Sequence, residues 1–189
     1  MTVKVNGISL YYETVGSGRP LIMLHGNGED HTIFDEAAEK LKDRFCVYLI
    51  DSRGQGKSSP VNEYHYVDMA DDVVAFIKKL GLEDVALYGY SDGGIIGLLA
   101  AAECGGITGL IVSGANLDPD GLKERYRLLF KTEYPFKKDP LIKLMLDEPD
   151  VPDGILKKIT AKTLVTAGED DLIKEEQTRH IAETVKNGH

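Results

Sequence analysis

The sequence predicts an α/β fold, a mostly parallel sheet with helices on both faces. Three observations predict it. Short apolar runs alternate with stretches of helical periodicity along almost the whole chain. The runs are continuously apolar rather than alternating, as in strands covered on both faces. Several of them end on glycine, where a strand gives way to a turn.

The elements follow in order. "MTVKVNGISLYYETVG" reads as a hairpin, with strands at 2–5 and 8–15 and Asn6-Gly7 as the two-residue turn. It has no signal-peptide core. "PLIMLHG" is a short apolar strand, "TIFDEAAEKLKD" a helix and "FCVYLID" a strand. "YVDMADDVVAFIKKLG" is a helix closed by Gly81. "VALYGY", "GGIIGLLAAAE" and "ITGLIVSG" read as strand, buried helix and strand. "KTLVTAG" is a further strand and "KEEQTRHIAETVKNG" a final helix. Residues 116–150 break the rhythm with four prolines, several aromatics and no strand. They read as a lid or cap inserted over the carboxyl edge of the sheet, or as a two-helix crossover. The core is then 1–115 and 151–189. Ligands of such sheets sit at the carboxyl ends of the strands, so the chemistry is expected in the loops there.

Composition narrows the function. The 189 residues suit one domain, with 42% hydrophobic and 28% charged residues. The net charge of −9 disfavours nucleic acid and anionic membrane as partners. Cys46 and Cys104 lie in apolar segments and read as reduced core thiols. No apolar run is long enough to span a bilayer, and the chain reads as cytoplasmic. The five histidines are dispersed and no Cys-x-x-Cys occurs, so no metal site and no cofactor are expected.

One stretch carries chemistry. "VALYGYSDGGIIGLLAA" is strand, Gly-x-Ser-x-Gly, helix. A serine on so sharp a turn has strained backbone angles, and its neighbours must be small. The turn lifts the Ser91 hydroxyl clear of the sheet, above a helix N-terminus that favours negative charge.

With this motif, the chain resembles the α/β-hydrolase superfamily over nearly its whole length. "LIMLHGNGED" is similar to the family's oxyanion loop, "LIDSRGQGKS" to the loop after the next strand, "GYSDGG" to the nucleophile elbow. "TLVTAGEDDLI" is similar to the strand and turn that deliver the acid. Serine at the nucleophile position sets the chain apart from dehalogenases and epoxide hydrolases. It looks more like small bacterial esterases and lactonases.

The resemblance implies roles. Ser91 attacks an ester or related acyl carbonyl and forms an acyl-enzyme. The backbone N–H groups of Asn27 and Asp92 form the oxyanion hole, so their side chains need not matter. His25 organises its loop. Asp51 and Arg53 fix the next loop, as a carboxylate–guanidinium pair would. Asp171 is the acid, with Asp170 and Asp118 as alternatives.

The base departs from the pattern. Chain order should be Ser, acid, His, and only His180 and His189 follow Asp171. His180 lies on a helix, and His189 is a remote candidate for the base. In the family the last helix is followed by a strand and the histidine loop. "KNGH" stands where that strand would begin, so the sequence reads as a truncated hydrolase, weak or inactive. The alternative is a non-catalytic member that binds a small acyl or lactone ligand. Losing the last strand would leave "TLVTAG" as an exposed edge, from which a homodimer is expected.

Overall fold

The computed structural model describes residues Met1–His189. Its seven strands are β1 (Thr2–Val5), β2 (Ile8–Gly16), β3 (Arg19–Leu24), β4 (Phe45–Ile50), β5 (Val85–Tyr90), β6 (Ile107–Ser113) and β7 (Lys162–Thr166). They form one sheet in the order β1-β2-β4-β3-β5-β6-β7. The first two are antiparallel to their neighbours and the rest run parallel. At the hairpin Asn6 and Gly7 both take positive φ, as a tight two-residue turn requires.

The helices are α1 (Asp35–Leu41), α2 (Tyr66–Leu80), α3 (Asp92–Glu103), α4 (Glu124–Lys137), α5 (Pro140–Asp147), α6 (Asp153–Leu156) and α7 (Glu175–Thr184). One face of the sheet packs against α2, α3, α6 and α7. The main core of 34 buried residues lies there, with Ile22, Leu87, Ile95 and Leu98 almost completely covered. The other face carries α1 and the 3-10 turn before it, over Leu21, Met23, Val47 and Leu49. Beyond α1 it opens into an apolar groove of about 640 Å³ that includes Tyr88, Tyr90 and Ile111. α4 and α5 fall between β6 and β7, inside the 116–150 segment.

Two sequence expectations are corrected. The final helix stops at Thr184, and the next residues turn back beside β7. There Thr163 N–H donates to the Asn187 carbonyl, His189 N–H to the Thr163 carbonyl and Val165 N–H to the His189 carbonyl. The outer edge of β7 is therefore not bare, because residues 187–189 already pair with it. This also settles where His189 lies. It is in the ladder beside β7, three strand spacings or about 14 Å from β5.

The sheet order positions the site. β3 is flanked by β4 on one side and β5 on the other, so the loops leaving β3 and β5 diverge. Such a reversal opens a crevice at the strands' carboxyl ends. Leu24 is in register with Gly89, so the loop from His25 and the turn at Ser91 emerge side by side.

Candidate active site

The turn at Ser91 is built from small residues. Ser91 has φ 52 and ψ −118, a conformation that side chains other than glycine rarely adopt. Its N–H donates to the Ser113 carbonyl at 2.7 Å, and its own carbonyl accepts from Gly94 and Ile95 at the start of α3. A Cβ at Gly93 would collide with the Leu24 carbonyl, and one at Gly89 with the Gly93 carbonyl. Gly26, in the loop after β3, faces the serine: a Cβ there would lie 3.1 Å from Ser91 Cβ. The first residues of two loops are thus packed against the nucleophile position, where only glycine allows such closeness.

Asn27 and Asp92 follow Gly26 and Ser91 in the chain, so their backbone groups belong to the two meeting turns. Their side chains do more than the sequence suggested. Asn27 Nδ2 donates to Asp92 Oδ2 at 2.8 Å and to the Leu141 carbonyl of α5 at 3.3 Å. The Asp92 carboxyl also takes a hydrogen bond from the Tyr66 hydroxyl. Asp92 is 4% exposed. Burial lifts its pKa to about 6, and the bonds from Asn27 and Tyr66 oppose the rise. Tyr66, at the start of α2, is pushed well above the usual phenol value by burial and then by the Asp92 charge. The expectation that these side chains need not matter is therefore corrected. They tie together the nucleophile turn, the oxyanion loop, α2 and α5. Tyr66 was not legible as a site residue, because nothing local marks a helical tyrosine.

His25 is buried and neutral in character. Its Nε2 accepts from Ser52 N–H at 3.0 Å, so Nδ1 carries the proton and donates to the Gly26 carbonyl at 2.8 Å. Burial pulls its pKa down. It joins the oxyanion loop to the loop after β4. The expected Asp51–Arg53 pair does not form. Asp51 instead accepts from the N–H groups of His31 and Lys57 and from His31 Nδ1, each at 2.7 Å. Arg53 reaches α2, holding Asp72 through two nitrogens at 2.7 and 2.8 Å and Asp68 at 2.8 Å. A fork of two parallel donors suits a carboxylate better than the cramped turn around Asp51 does. Asp30, His31 and Asp51 also bring three potential ligand atoms within 4.8 Å. Those atoms are already engaged with one another and with Thr32, so the grouping reads as a loop anchor.

The three acid candidates have different surroundings. Asp171 accepts from Ile173 N–H at 3.0 Å and Gly168 N–H at 3.2 Å. Its carboxylate rests against Gly114 at the end of β6. Asp118 accepts from Gln177 Nε2 at 3.2 Å, and Asp170 is exposed. The histidines all have other engagements. His31 bonds Asp51, His65 bonds Glu148 at 2.6 Å, and exposed His180 bonds Asp153 at 2.7 Å. No histidine hydrogen-bonds to Ser91.

Around Ser91 the free space is small. A cavity of about 10 Å³ is lined by Tyr66, Ser91, Asp92, Leu122, Met145, Glu148 and Ile173 among others. That is room for about one water. Two contacts hold α5 over it: the Asn27–Leu141 bond at one end, and Glu148 at the other. Glu148 takes His65 Nδ1 at 2.6 Å and Tyr66 N–H at 3.1 Å.

A strand-turn-helix serine beside a glycine loop, at the switch point of a parallel sheet, defines a class. The model of the alpha/beta hydrolase fold family matches residues 19–134, and the chain belongs to that family. Among curated relatives, it is 41% identical over 93 residues to the "AB hydrolase superfamily protein YisY" of Bacillus subtilis (strain 168). That match covers 48% of this chain and 35% of the relative. It is 38% identical over 122 residues to "Serine hydrolase BPHL" of Mus musculus, covering 60% of this chain and 42% of the relative. The chain thus spans less than half the length of these relatives. Among solved structures, "Est816 as an N-Acyl homoserine lactone degrading enzyme" shares a TM-score of 0.81 at 20% identity, covering 99% of this chain and 89% of that one. "Esterase (EaEST) from Exiguobacterium antarcticum" shares 0.80 at 24% identity, over 98% and 87%. These likenesses carry the fold. No helix is long and apolar enough to cross a membrane.

Proposed function

We propose that this chain carries the nucleophile of a serine hydrolase acting on carboxylic esters or related acyl substrates such as lactones. The observation that carries the reading is Ser91, held at φ 52 on the β5–α3 turn with Gly26 packed against it. Its Oγ attacks the acyl carbon, the carbonyl oxygen becomes an oxyanion, and the leaving alcohol departs from an acyl-serine. The Asn27 and Asp92 N–H groups meet the oxyanion. Asp171 serves as the acid that orients a base. No histidine meets Ser91 here, so acylation by the 189-residue chain is slow.

That same observation favours a second reading, in which the pocket binds a small acyl or lactone ligand without turning it over. A fluorophosphonate probe separates the two. A hydrolase gains one phosphonyl group per chain at Ser91, and Ser91→Ala gains none. An unmodified chain after prolonged exposure, with the fold intact by circular dichroism, would leave the binding reading.

A further inference from the structure

The net charge disfavours anionic surfaces as partners, but several cations lie together on one helix. Residues 123–138 carry six cations (Lys123, Arg125, Arg127, Lys131, Lys137 and Lys138) against two acids, Glu124 and Glu133. Asp120 and Asp139 flank this stretch, so residues 120–139 carry +2 in a chain of net −9, with Arg127 tied to Asp120 and Lys137 to Glu133. Charges farther off than a Debye length of about 8 Å are screened, so a contacting surface meets the local +2 rather than the global −9.

The same helix shows apolar residues to solvent. No residue of α4 is buried. Leu128 is 57% exposed, Leu129 47% and Phe136 89%. Spacings of three to four and seven to eight place Leu128, Leu129, Thr132 and Phe136 on one face. The opposite face, with Tyr126, Phe130 and Tyr134, is the half-covered one. Two adjacent leucines and a nearly bare phenylalanine form an apolar strip edged by Arg125, Lys131 and Lys138, while Lys137 is paired with Glu133. Protein interfaces are depleted in lysine. Cations outside any ion pair beside leucine and phenylalanine fit an anionic lipid surface instead.

We infer that the outer face of α4 docks on anionic phospholipid bilayers, with Leu128, Leu129 and Phe136 entering the headgroup boundary and the lysines meeting lipid phosphates. This inference is independent of any chemistry at Ser91.

The chain has no tryptophan, so Phe136→Trp makes a single-site reporter on the exposed position. The probe is vesicles of phosphatidylcholine alone or with about 30% phosphatidylglycerol. The expected result is a blue shift and rise of emission with the anionic vesicles. Apparent affinity should fall about tenfold between about 0.1 M and about 0.5 M NaCl. Sedimentation with vesicles should weaken at least about tenfold for Leu128→Ser/Leu129→Ser/Phe136→Ser, whose sites are exposed and leave the fold intact. Three results would overturn the proposal. The emission could ignore anionic vesicles, or the triple variant could sediment like the parent. Or the reporter could respond to polyglutamate and not to vesicles, which would assign the face to an acidic protein.

Discussion

Asp92 is the residue where local geometry has the sharpest thermodynamic consequence. Its pKa of about 6 in the fold exceeds the ordinary 3.8. The native state therefore holds more protons than the unfolded chain between those values. Stability from this group falls as pH rises from about 4 to about 6, and the cost of about 3 kcal/mol stays in place above that. Asp92→Asn keeps an acceptor for Asn27 or Tyr66 and removes the charge. Its melting temperature, compared with the parent, should gain across that window and hold the gain at neutral pH. Parallel curves for the two proteins would refute the assignment. Gly93→Ala is the steric counterpart. The added methyl meets the Leu24 carbonyl, and backbone has to move. A loss of about 3 kcal/mol or more is expected in denaturant unfolding. Much of this was legible. Glycines around a serine between strand and helix announce a tight turn. The Asp92–Tyr66 partnership was not, because it joins residues 26 positions apart in sequence through tertiary packing alone.

At the scale of elements, α5 is held down by Glu148 at its C-terminal end. His65, paired with Glu148, titrates above the ordinary histidine value because of that hydrogen bond. A raised histidine contributes stability that is full below its unfolded pKa and lost as pH rises through the folded one. The pair is half-exposed, so its worth is under about 1 kcal/mol. Alkaline pH or Glu148→Gln should therefore loosen α5 without unfolding the chain. Hydrogen exchange at Leu144 and Met145 should quicken in the variant and in the parent above its histidine transition. Exchange unchanged in both would show that other contacts hold α5. The strands themselves were readable as short apolar runs and the helices from a period of 3.6. What 116–150 does was not, since α4 carries large apolar residues on both sides: Tyr126, Phe130 and Tyr134 inward, Leu128, Leu129 and Phe136 outward. Periodicity shows that faces differ, not which one turns inward.

For the molecule as a whole, the C-terminal residues complete an edge. Thr163 and Val165 share three backbone hydrogen bonds with residues 187–189. Removing those three residues should bare the edge beside exposed Leu164 and raise self-association. Light scattering at rising concentration should show larger species for the shortened chain than for the 189-residue one. Equal scattering would mean that the edge is silent in both. The dimer expected from sequence drew on an edge assumed to be bare. "KNGH" stands where the next strand would begin, but a paired segment three residues long has no period from which its pairing could be read.

The cavity beside Ser91 sets a rate as well as a shape. Ser91 is itself partly exposed, but an acyl group that is to fill this space for about one water must wait for α5 to part from Asn27 and for Glu148 to leave His65. If the open form makes up one part in a hundred, apparent affinity falls by about a hundredfold against the open form's own. Reaction without a base is slow, so the open and closed forms interconvert many times per reaction, and the rate at Ser91 is the open form's rate scaled by that fraction. Two phosphonates of very different leaving group should therefore keep at Ser91 the same ratio of rates that they show toward a free alcohol.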